Sequence, residues 1–419
     1  MLITLLASGT RGDTQPFIAL GLALQKKGCT VRLAASETFE DLVISQGIEF
    51  YPLLGDVSKI AEDENLRKAM SANNPLKVIM GFNTMKNRAY SLQQGFYDAC
   101  QGSDAIIYHP GAAIGYFIAQ TLNIPSILAT PFPMIPTKAY PALIFYDSVR
   151  LGKAFNLLTH VLFQQILWQM SKASIKRFWK DKFAGIPHNF SNPFSQLQSE
   201  NRLTLVACSN YVFPKPQDWS KEVHNTGYWF LDEDYRSPPK ELQEFLQAGT
   251  PPVYVGFGSL GDPTKAVQMT ELVIEAIERS GQRGILAKGW NGMTEMTQIP
   301  KTIFMVESIP HAWLFPQMSV VVHHGGAGTT AAGLRAGVPS VLIPHSNDQF
   351  AWGKKVEELG VGAKYIPKTK LTAENLSAAI SFALREEVKA KAIALGRKIQ
   401  QENGAEVAAK LIINSLKPK

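Results

Sequence analysis

The sequence predicts an α/β protein of two domains, each built on a mainly parallel sheet. Short β-branched strands alternate with amphipathic helices from the N-terminus onward, and the alternation restarts near residue 250 after a proline-containing stretch without periodicity. Such βαβ units impose parallel strands with right-handed crossovers. At 419 residues the chain exceeds what one hydrophobic core usually holds. We therefore predict an N-terminal domain over 1–226, a linker over 227–249 and a C-terminal domain over 250–395.

The N-terminal part opens with a strand, a loop, a helix and a second strand. Residues 2–7 predict the first strand, 9–13 a loop, and 15–27 an amphipathic helix that ends at Gly28. The same signals predict strands at 30–35, 105–108, 126–129 and 204–207, a helix at 115–122, and a polar loop with a short helix at 57–75.

The second half of the N-terminal part has a different pattern. Proline and aromatic residues dominate 131–136, and an almost wholly apolar helical stretch follows at 155–170. The next stretch, 172–183, mixes lysines with Phe178 and Trp179, which is typical of helices at a membrane surface. A helix with one solvated face is the commoner explanation of such a mixture, and simple core packing is the commoner explanation of the aromatic residues.

The C-terminal part repeats the alternation of strands and helices. Strands are predicted at 253–259, 284–287, 302–306, 319–322 and 340–344, and helices at 269–279, 372–387 and 388–416.

A glycine-rich turn lies between the last two of these strands. It reads His-His-Gly-Gly-Ala-Gly-Thr-Thr over 323–330 and leads into a helix that ends at Gly337. Glycines allow a tight turn with accessible N–H groups, and Thr329 or Thr330 can cap the helix. Unsatisfied N–H groups and the helix dipole favour an anion at this point, and His324 adds a donor. The turn indicates a diphosphate site, but packing glycines without a ligand explain it equally well.

A carboxylate and an amide favour the ligand-binding interpretation of this turn. Asp348 and Gln349 follow the strand predicted at 340–344, at the sheet edge where open α/β sheets bind ligands. Adjacent carboxylate and amide groups suit bidentate hydrogen bonding of sugar hydroxyls. One strand would then hold a phosphate and its neighbour a sugar.

These residues resemble the nucleotide-sugar-binding signature of the UDP-glycosyltransferase family with the GT-B fold. The variant at 323–330 is most similar to sterol and lipid glucosyltransferases and to bacterial antibiotic and carotenoid glycosyltransferases. The likeness continues at 309–316 and at 9–16, near the N-terminus. It implies two Rossmann-like domains with parallel sheets facing across a cleft. It also implies a last helix, 396–419, that crosses back to the N-terminal domain.

The resemblance assigns the nucleotide sugar to the C-terminal domain. It implies that the glycine turn holds the diphosphate, that the carboxylate-amide pair positions the sugar, and that the stretch from Ile309 frames the base. The implied donor-binding residues are Ser259, Ile309, His324, Gly326, Ala327, Gly328, Thr329, Asp348 and Gln349. Ser308 stands near where plant-type members carry a base-stacking Trp, so the choice between UDP and TDP stays open.

Asp13 is the candidate general base. From its position alone, an Asp before Thr-Gln-Pro is a good helix N-cap. The resemblance implies instead that Asp13 takes the acceptor's hydroxyl proton, as the carboxylate does in the sterol and antibiotic enzymes. Desolvation would raise its pKa and suit a base that works near neutrality. His109, which follows another strand, either assists Asp13 or serves as a capping or packing residue.

Two other motifs point to different chemistry and are disfavoured. The run Gly-Phe-Gly-Ser-Leu-Gly at 256–261 matches a dinucleotide-binding fingerprint, but the next strand is followed by Lys288 where that fingerprint needs an acid. The resemblance assigns this loop to the donor's phosphates. Asp232-Glu233-Asp234 matches a metal-binding Asp-x-Asp, but it lies in the predicted linker. We predict no metal site and no cofactor other than the sugar nucleotide as co-substrate.

Composition narrows the partners of the protein. Lys+Arg 42 against Asp+Glu 35 gives a net charge of +7, without a basic block or an aromatic-basic RNA motif, so we predict no nucleic-acid partner. The three cysteines form no CxxC and favour a reducing compartment, and hence the cytoplasm. No run is long enough to span a membrane, although contact with a membrane surface stays open. We predict a monomer.

The sequence therefore predicts an inverting, metal-independent transfer of a hexose, with glucose favoured, from UDP-sugar to a lipophilic alcohol such as a sterol, terpenoid, carotenoid or polyketide. The acceptor-binding candidates are Phe132, Met134 and Ile135, in the region where the family builds its acceptor pocket. Three alternatives stay open: a TDP-deoxysugar transferase of natural products, a nucleotide- or lipid-binding GT-B protein without activity, and a dinucleotide-dependent oxidoreductase.

Overall fold

The computed structural model describes residues 1–54, 86–147, 151–232, 237–257, 266–289, 293, 299–307, 309–345 and 348–417. Their contacts divide the chain into two units, 1–231 with 402–419 and 232–401. Each unit is an α/β layer structure on a parallel sheet, which confirms the predicted fold class. The change of unit at residue 231 falls within the stretch predicted as a linker, 227–249.

The sheet of the first unit is parallel throughout. Its described strands are β1 (Leu2–Leu6), β2 (Thr30–Ser36), β3 (Glu49–Leu53), β4 (Ala105–Tyr108), β5 (Ser126–Thr130), β6 (Thr204–Val206) and β7 (Val223–Asn225). They lie in the order β3-β2-β1-β4-β5-β6-β7. All residues of β4, β5 and β6 are buried, as expected for strands covered by helices on both faces. The edge strands β3 and β7 were not predicted, since edge strands carry proline and polar residues that weaken the strand signal.

The helices of the first unit cover this sheet. They include α1 (Arg11–Gln25), α2 (Glu40–Ile44), α3 (Lys86–Ala99), α4 (Ile114–Leu122), α5 (Lys153–Phe183) and α6 (Pro193–Ser199). The predicted apolar stretch and the lysine-containing stretch after it are one continuous helix, α5. It begins after Gly152, whose φ is +90°, and ends at Ala184, which adopts the left-handed conformation. The polar stretch predicted at 57–75 lies outside the described residues.

The second unit repeats the architecture on a smaller sheet. Its described strands are β8 (Val253–Gly256), β9 (Gly284–Ala287), β10 (Ile303–Val306), β11 (Val320–His323) and β12 (Ser340–Leu342), in the order β10-β9-β8-β11-β12. Its helices include α7 (Lys240–Gln247), α8 (Ala266–Arg279), α9 (His311–Leu314), α10 (Ala327–Ala336), α11 (Gln349–Leu359), α12 (Ala373–Ala383) and α13 (Glu386–Gln400).

The last helix, α14 (Gly404–Leu416), belongs to the first unit. Its Ala408, Ala409 and Ile412 are fully buried in one core with residues of α1, including Phe17. The C-terminal region thus forms three helices, and the prediction of two at 372–387 and 388–416 was wrong. The breaks fall at 384–385, where no glycine or proline marks the boundary, and at 401–403, just before Gly404.

Candidate active site

Asp13 lies in the first turn of α1, three residues after the N-cap residue Thr10. Its Oδ2 accepts hydrogen bonds from the Thr10 backbone N–H at 2.7 Å and from the Thr10 hydroxyl at 3.0 Å. This capping box starts the helix at Arg11, so the predicted loop at 9–13 and the start at Gln15 were wrong. The N-cap residue is Thr10, whose role the sequence analysis missed, although Thr-x-x-Asp resembles a capping box.

Gly9 leaves the space that the Asp13 carboxylate occupies. It has a φ of +136°, which L side chains rarely adopt, and a Cβ added there would overlap the carboxylate. Glycine at this position therefore fixes where the Asp13 side chain lies.

His109 lies beside Asp13 in the same unit. It follows β4, and its Nδ1 accepts a hydrogen bond from the Gly111 backbone N–H at 3.1 Å. In a neutral imidazole the proton is then on Nε2, and Nε2 lies 3.4 Å from Asp13 Oδ1. That distance is an ion-pair contact and is longer than a well-formed hydrogen bond. The structure thus brings together the two predicted residues, with His109 8% and Asp13 26% exposed.

The pKa of Asp13 shifts in the direction opposite to the expected one. Burial of the carboxyl raises its pKa. The neighbouring His109 and the two hydrogen bonds from Thr10 together lower the pKa by more than burial raises it, so the net effect is a lowered pKa. The expectation from desolvation alone was wrong because it left out these remote and local donors. Asp13 is a carboxylate at neutral pH, able to accept a proton.

The glycine turn in the second unit has the geometry of an anion site. Strand β11 ends at His323, Gly325 adopts a φ of +91°, and α10 begins at Ala327 with Gly326 as its N-cap. The first backbone N–H groups of α10 therefore have no partner inside the helix. Gly326, Ala327 and Thr329 are partly exposed and Gly328 is exposed, so the start of α10 lies at the surface of its unit.

The two threonines do not cap the helix, contrary to the sequence analysis. Thr329 and Thr330 lie inside α10, because the helix begins at Ala327, before either of them. The Thr330 hydroxyl donates to the Gly326 carbonyl at 2.9 Å, within the first turn.

Two histidines precede the glycines of this turn, and desolvation lowers the pKa of both, so both are neutral at pH 7. His323 is fully buried, and its Nδ1 accepts a hydrogen bond from the Gly325 N–H at 3.1 Å, which supports the left-handed turn. Burial lowers the pKa of His323 well below its usual value, and the neighbouring His324 and His311 lower it further. Burial also lowers the pKa of His324 to about 4. His324 Nδ1 is buried without a hydrogen-bond partner among the described residues, which suits a ring that binds a ligand.

Asp348 and Gln349 begin α11, next to the glycine turn. Asp348 is the N-cap residue, and its Oδ2 accepts from Trp352 Nε1 at 3.2 Å. The Gln349 side chain is 7% exposed, and its Oε1 accepts from the His345 N–H at 2.8 Å. A Cβ added at Gly325 would lie 3.1 Å from the Gln349 carbonyl oxygen. The structure therefore brings the predicted diphosphate turn and the predicted sugar-binding pair into contact.

Of the other residues predicted to bind the nucleotide sugar, the structure describes Ile309 but not Ser259. Ile309 is partly buried against the core that contains Leu314, just before α9. In α9 the His311 ring stacks on Phe315 with centroids 4.3 Å apart. Ser259 and Ser308 lie outside the described residues.

The three acceptor-binding candidates lie on the irregular segment that follows β5. Met134 and Ile135 are buried, and Phe132 is partly exposed with its ring 6.3 Å from that of Phe163. Side chains of other elements hold this segment: Gln164 Nε2 donates to the Met134 carbonyl and Trp219 Nε1 to that of Ile135, both at 3.3 Å.

The residues of the disfavoured motifs have other partners. Lys288, in the position where a dinucleotide site needs an acid, pairs with Glu307 at 2.7 Å. Asp232 forms a two-point ion pair with Arg335, and Glu233 and Asp234 lie outside the described residues. In the described ranges, His, Cys, Asp and Glu side chains form no group of three that could hold a metal ion.

Comparison with known proteins identifies similar sequences over the whole chain. A glycosyltransferase family 28 N-terminal domain matches residues 3–141, and an erythromycin biosynthesis protein CIII-like C-terminal domain matches residues 274–416. A sterol 3-beta-glucosyltransferase of Arabidopsis thaliana is 34% identical, covering 100% of this chain and 68% of the relative. One of Yarrowia lipolytica is 36% identical, covering 99% of this chain and 29% of the relative. The chain thus spans only part of these relatives.

Solved structures share the fold at lower identity. The glycosyltransferase of kitacinnamycin superposes with a TM-score of 0.75 at 21% identity, covering 99% of both chains. A Streptomyces sp. SF2575 glycosyltransferase complexed with thymidine diphosphate superposes with a TM-score of 0.63 at 16% identity, also covering 99% of both.

Proposed function

The chain is a glycosyltransferase of the family of the sterol 3-beta-glucosyltransferases, with the GT-B fold, and from this premise we propose that it transfers glucose from UDP-glucose to the hydroxyl group of a sterol. The observation that carries the proposal is the pair of sites described above. A carboxylate beside a histidine lies in the first unit, and an anion-binding turn beside a carboxylate-amide pair lies in the second.

Asp13 acts as the general base in this proposal. Its Oδ1 or Oδ2 takes the proton of the acceptor hydroxyl as the oxygen attacks the anomeric carbon of glucose. The bond from that carbon to the diphosphate oxygen breaks, and UDP leaves with the electron pair. The lowered pKa ensures that Asp13 is ionised before the acceptor binds.

His109 positions Asp13 and stabilises its charge. Since Nδ1 is occupied by the Gly111 N–H, the Nε2–H faces Asp13 Oδ1 and holds the carboxylate in one orientation. Thr10 holds the other oxygen. One base on one face of the sugar supports a single displacement, which inverts the anomeric centre.

The amides at the start of α10 stabilise the leaving diphosphate. N–H donors and a helix N-terminus that already point at the developing negative charge make one of the largest contributions to transition-state stabilisation. His324 adds a ring N–H, and a bound diphosphate would favour its protonated form. These groups supply the stabilisation that a metal ion supplies in other transferases, so we propose a metal-independent reaction.

Asp348 and Gln349 orient the sugar. The His345 N–H donates to the Gln349 amide oxygen and so fixes the orientation of this side chain, whose NH₂ group is the kind of donor that suits a sugar hydroxyl. Asp348 is partly exposed and can accept from a neighbouring hydroxyl. The stretch from Ile309 frames the base.

The proposal also covers location and assembly. All three cysteines are free and buried thiols, which supports a reducing compartment, and we place the protein in the cytoplasm as a monomer. Among the described helices, none combines the length and apolarity needed to cross a bilayer. Access to a membrane-dissolved sterol then requires contact with a membrane surface.

A transfer assay tests the proposal. The full chain is incubated with labelled UDP-glucose and a detergent-dispersed sterol, with and without EDTA, and sterol glucoside is measured. Product formation that EDTA does not change is the expected result. Asp13→Asn should lower kcat by about 10²- to 10⁴-fold, while calorimetry should show UDP affinity within about twofold of wild type, because the substituted residue lies in the other unit.

Asp41→Asn is the matched control. Asp41 is an exposed aspartate in the first turn of α2, so its substitution removes the same charge from a helix N-terminus of the same unit. It should retain wild-type turnover. Wild-type protein that binds UDP without forming product would support the silent binding protein, and tighter binding of TDP than UDP would support the deoxysugar transferase.

A further inference from the structure

Helix α5 turns polar side chains inward and apolar side chains outward in its first half. Thr159, His160 and Gln164 are 3% exposed or less, whereas Leu158, Val161 and Leu162 are 60%, 51% and 46% exposed. A surface helix of a globular protein has the opposite arrangement. The reversal therefore needs a structural cause on the inner face and an occupant on the outer face.

The cause on the inner face is the irregular segment 131–142. Its backbone groups lie outside the sheet ladder and the helices, and side chains of α5 satisfy several of them. Gln164 Nε2 donates to the Met134 carbonyl, His160 Nε2 contacts the Tyr140 carbonyl at 3.0 Å, and Thr159 Oγ1 accepts from the Ala142 N–H at 2.9 Å. Because polar side chains occupy the inner face, the apolar residues Leu158, Val161 and Leu162 of the same turns face outward.

The outer face continues as a cationic stripe along the second half of α5. Counted at about 100° per residue, eight residues of α5 fall within about 40° of Leu158 around the helix axis, and Val161 lies about 60° away. The eight are Ala154, Leu162, Gln165, Gln169, Lys172, Lys176, Lys180 and Phe183. Asp181, the one acidic residue of α5, lies about 140° away by the same count. The helix has 31 residues, which corresponds to a length of roughly 46 Å.

We propose that this outer face docks on the surface of an anionic lipid membrane, with Leu158, Val161 and Leu162 inserted between headgroups and the three lysines paired with lipid phosphates or carboxylates. Apolar side chains followed by cations on one helix face are the composition that binds this interface. The inference extends the membrane contact included in the proposed function, and it is tested by binding alone.

The charge and the length of the outer face of α5 favour a membrane over a second copy of the chain or a bound acceptor molecule. A second copy of the chain would bring Lys172, Lys176 and Lys180 toward a like-charged face, which opposes association. A bound acceptor molecule would cover only a few helical turns, whereas the stripe extends along most of α5. A flat anionic surface complements both its charge and its length.

Co-sedimentation with vesicles tests the proposal. The full chain is mixed with phosphatidylcholine vesicles, with and without phosphatidylserine, at low and high salt. We expect binding that requires phosphatidylserine and weakens at high salt. Lys172→Glu, Lys176→Glu and Lys180→Glu together should weaken partitioning by about 100-fold, since each lysine near an anionic surface contributes about fivefold. Leu158→Gln, Val161→Gln and Leu162→Gln together should weaken it by about tenfold or more.

Matched substitutions elsewhere on the surface serve as controls. Lys364→Glu, Lys370→Glu and Lys410→Glu change the same charge at exposed positions outside α5. Val267→Gln with Ile393→Gln removes apolar side chains that are 51% and 47% exposed. Both control proteins should bind vesicles as the wild type does.

Three results would overturn the inference. One is wild-type binding that is equal with and without phosphatidylserine. Another is a wild-type dimer, seen by sedimentation, that the triple glutamine variant dissociates. The third is loss of transfer to detergent-dispersed sterol in that variant, which would assign the face to the acceptor site. Vesicle binding by a wild type that transfers no glucose would instead refute the proposed function and leave this inference intact.

Discussion

Replacing His324 with glutamine should make the protein less sensitive to acid. The unfolded chain takes up a proton on this side chain below a pKa of about 6.5, whereas burial holds the pKa in the folded protein at about 4. Between these values the unfolded state binds more protons, so protonation favours unfolding as the pH falls. Above pH 6.5 both states are neutral at this residue and the effect disappears.

The size of the effect follows from the two pKa values. At pH 5 the unfolded imidazole is almost fully protonated and the folded one is mostly neutral, which lowers the free energy of unfolding by about 2 kcal/mol relative to pH 7.5. His324→Gln removes this contribution. The loss of stability between pH 7.5 and pH 5 should therefore be about 2 kcal/mol smaller in the variant than in the wild type.

Urea unfolding at the two pH values, followed by tryptophan fluorescence, measures this difference. A change of 2 kcal/mol corresponds to a shift of roughly 1 M in the urea midpoint. The exposed His188→Gln is the matched control and should show the wild-type pH dependence. An equal pH dependence in His324→Gln and wild type would refute the argument that the partly buried His324 stays neutral beside the glycine turn.

The remaining predictions concern single contacts. Gly9→Ala should displace the Asp13 carboxylate and lower kcat at least tenfold, because the base would no longer be positioned. The affinity for UDP, measured by calorimetry, should not change. Full activity would show that the carboxylate can move without loss of turnover. Gln349→Ala should raise the KM for UDP-glucose about five- to tenfold while UDP affinity stays within about twofold, and a parallel loss of both would contradict its assignment to the sugar. Gln164→Leu should lower the free energy of unfolding by about 1–3 kcal/mol, because the Met134 carbonyl stays buried without a partner, and unchanged urea unfolding would contradict that contact.

Strand positions could be predicted because their signals are local. The bounds of β4 and β9 match the predictions at 105–108 and 284–287 to the residue, since each is a short apolar run followed by a change of composition. The glycine turn between β11 and α10 was located for the same reason. Helix starts were less accurate: Thr10 and Asp13 begin α1 through a reciprocal hydrogen-bond pair, and the sequence contains the two residues but does not show that their side chains meet.

The amino-acid sequence by itself determined the fold class, the family and the identity of the candidate site residues, because periodicity, turn chemistry and motifs are read from neighbouring residues. Only the tertiary structure decided the pairing of His109 with Asp13, the lowered pKa of that carboxyl and the neutral state of His324. The same holds for α5, whose inward polar residues depend on an irregular segment elsewhere in the chain. The physical reason is that pKa values and hydrogen-bond partners depend on the atoms within a few ångströms in space, and folding brings those atoms from distant parts of the sequence.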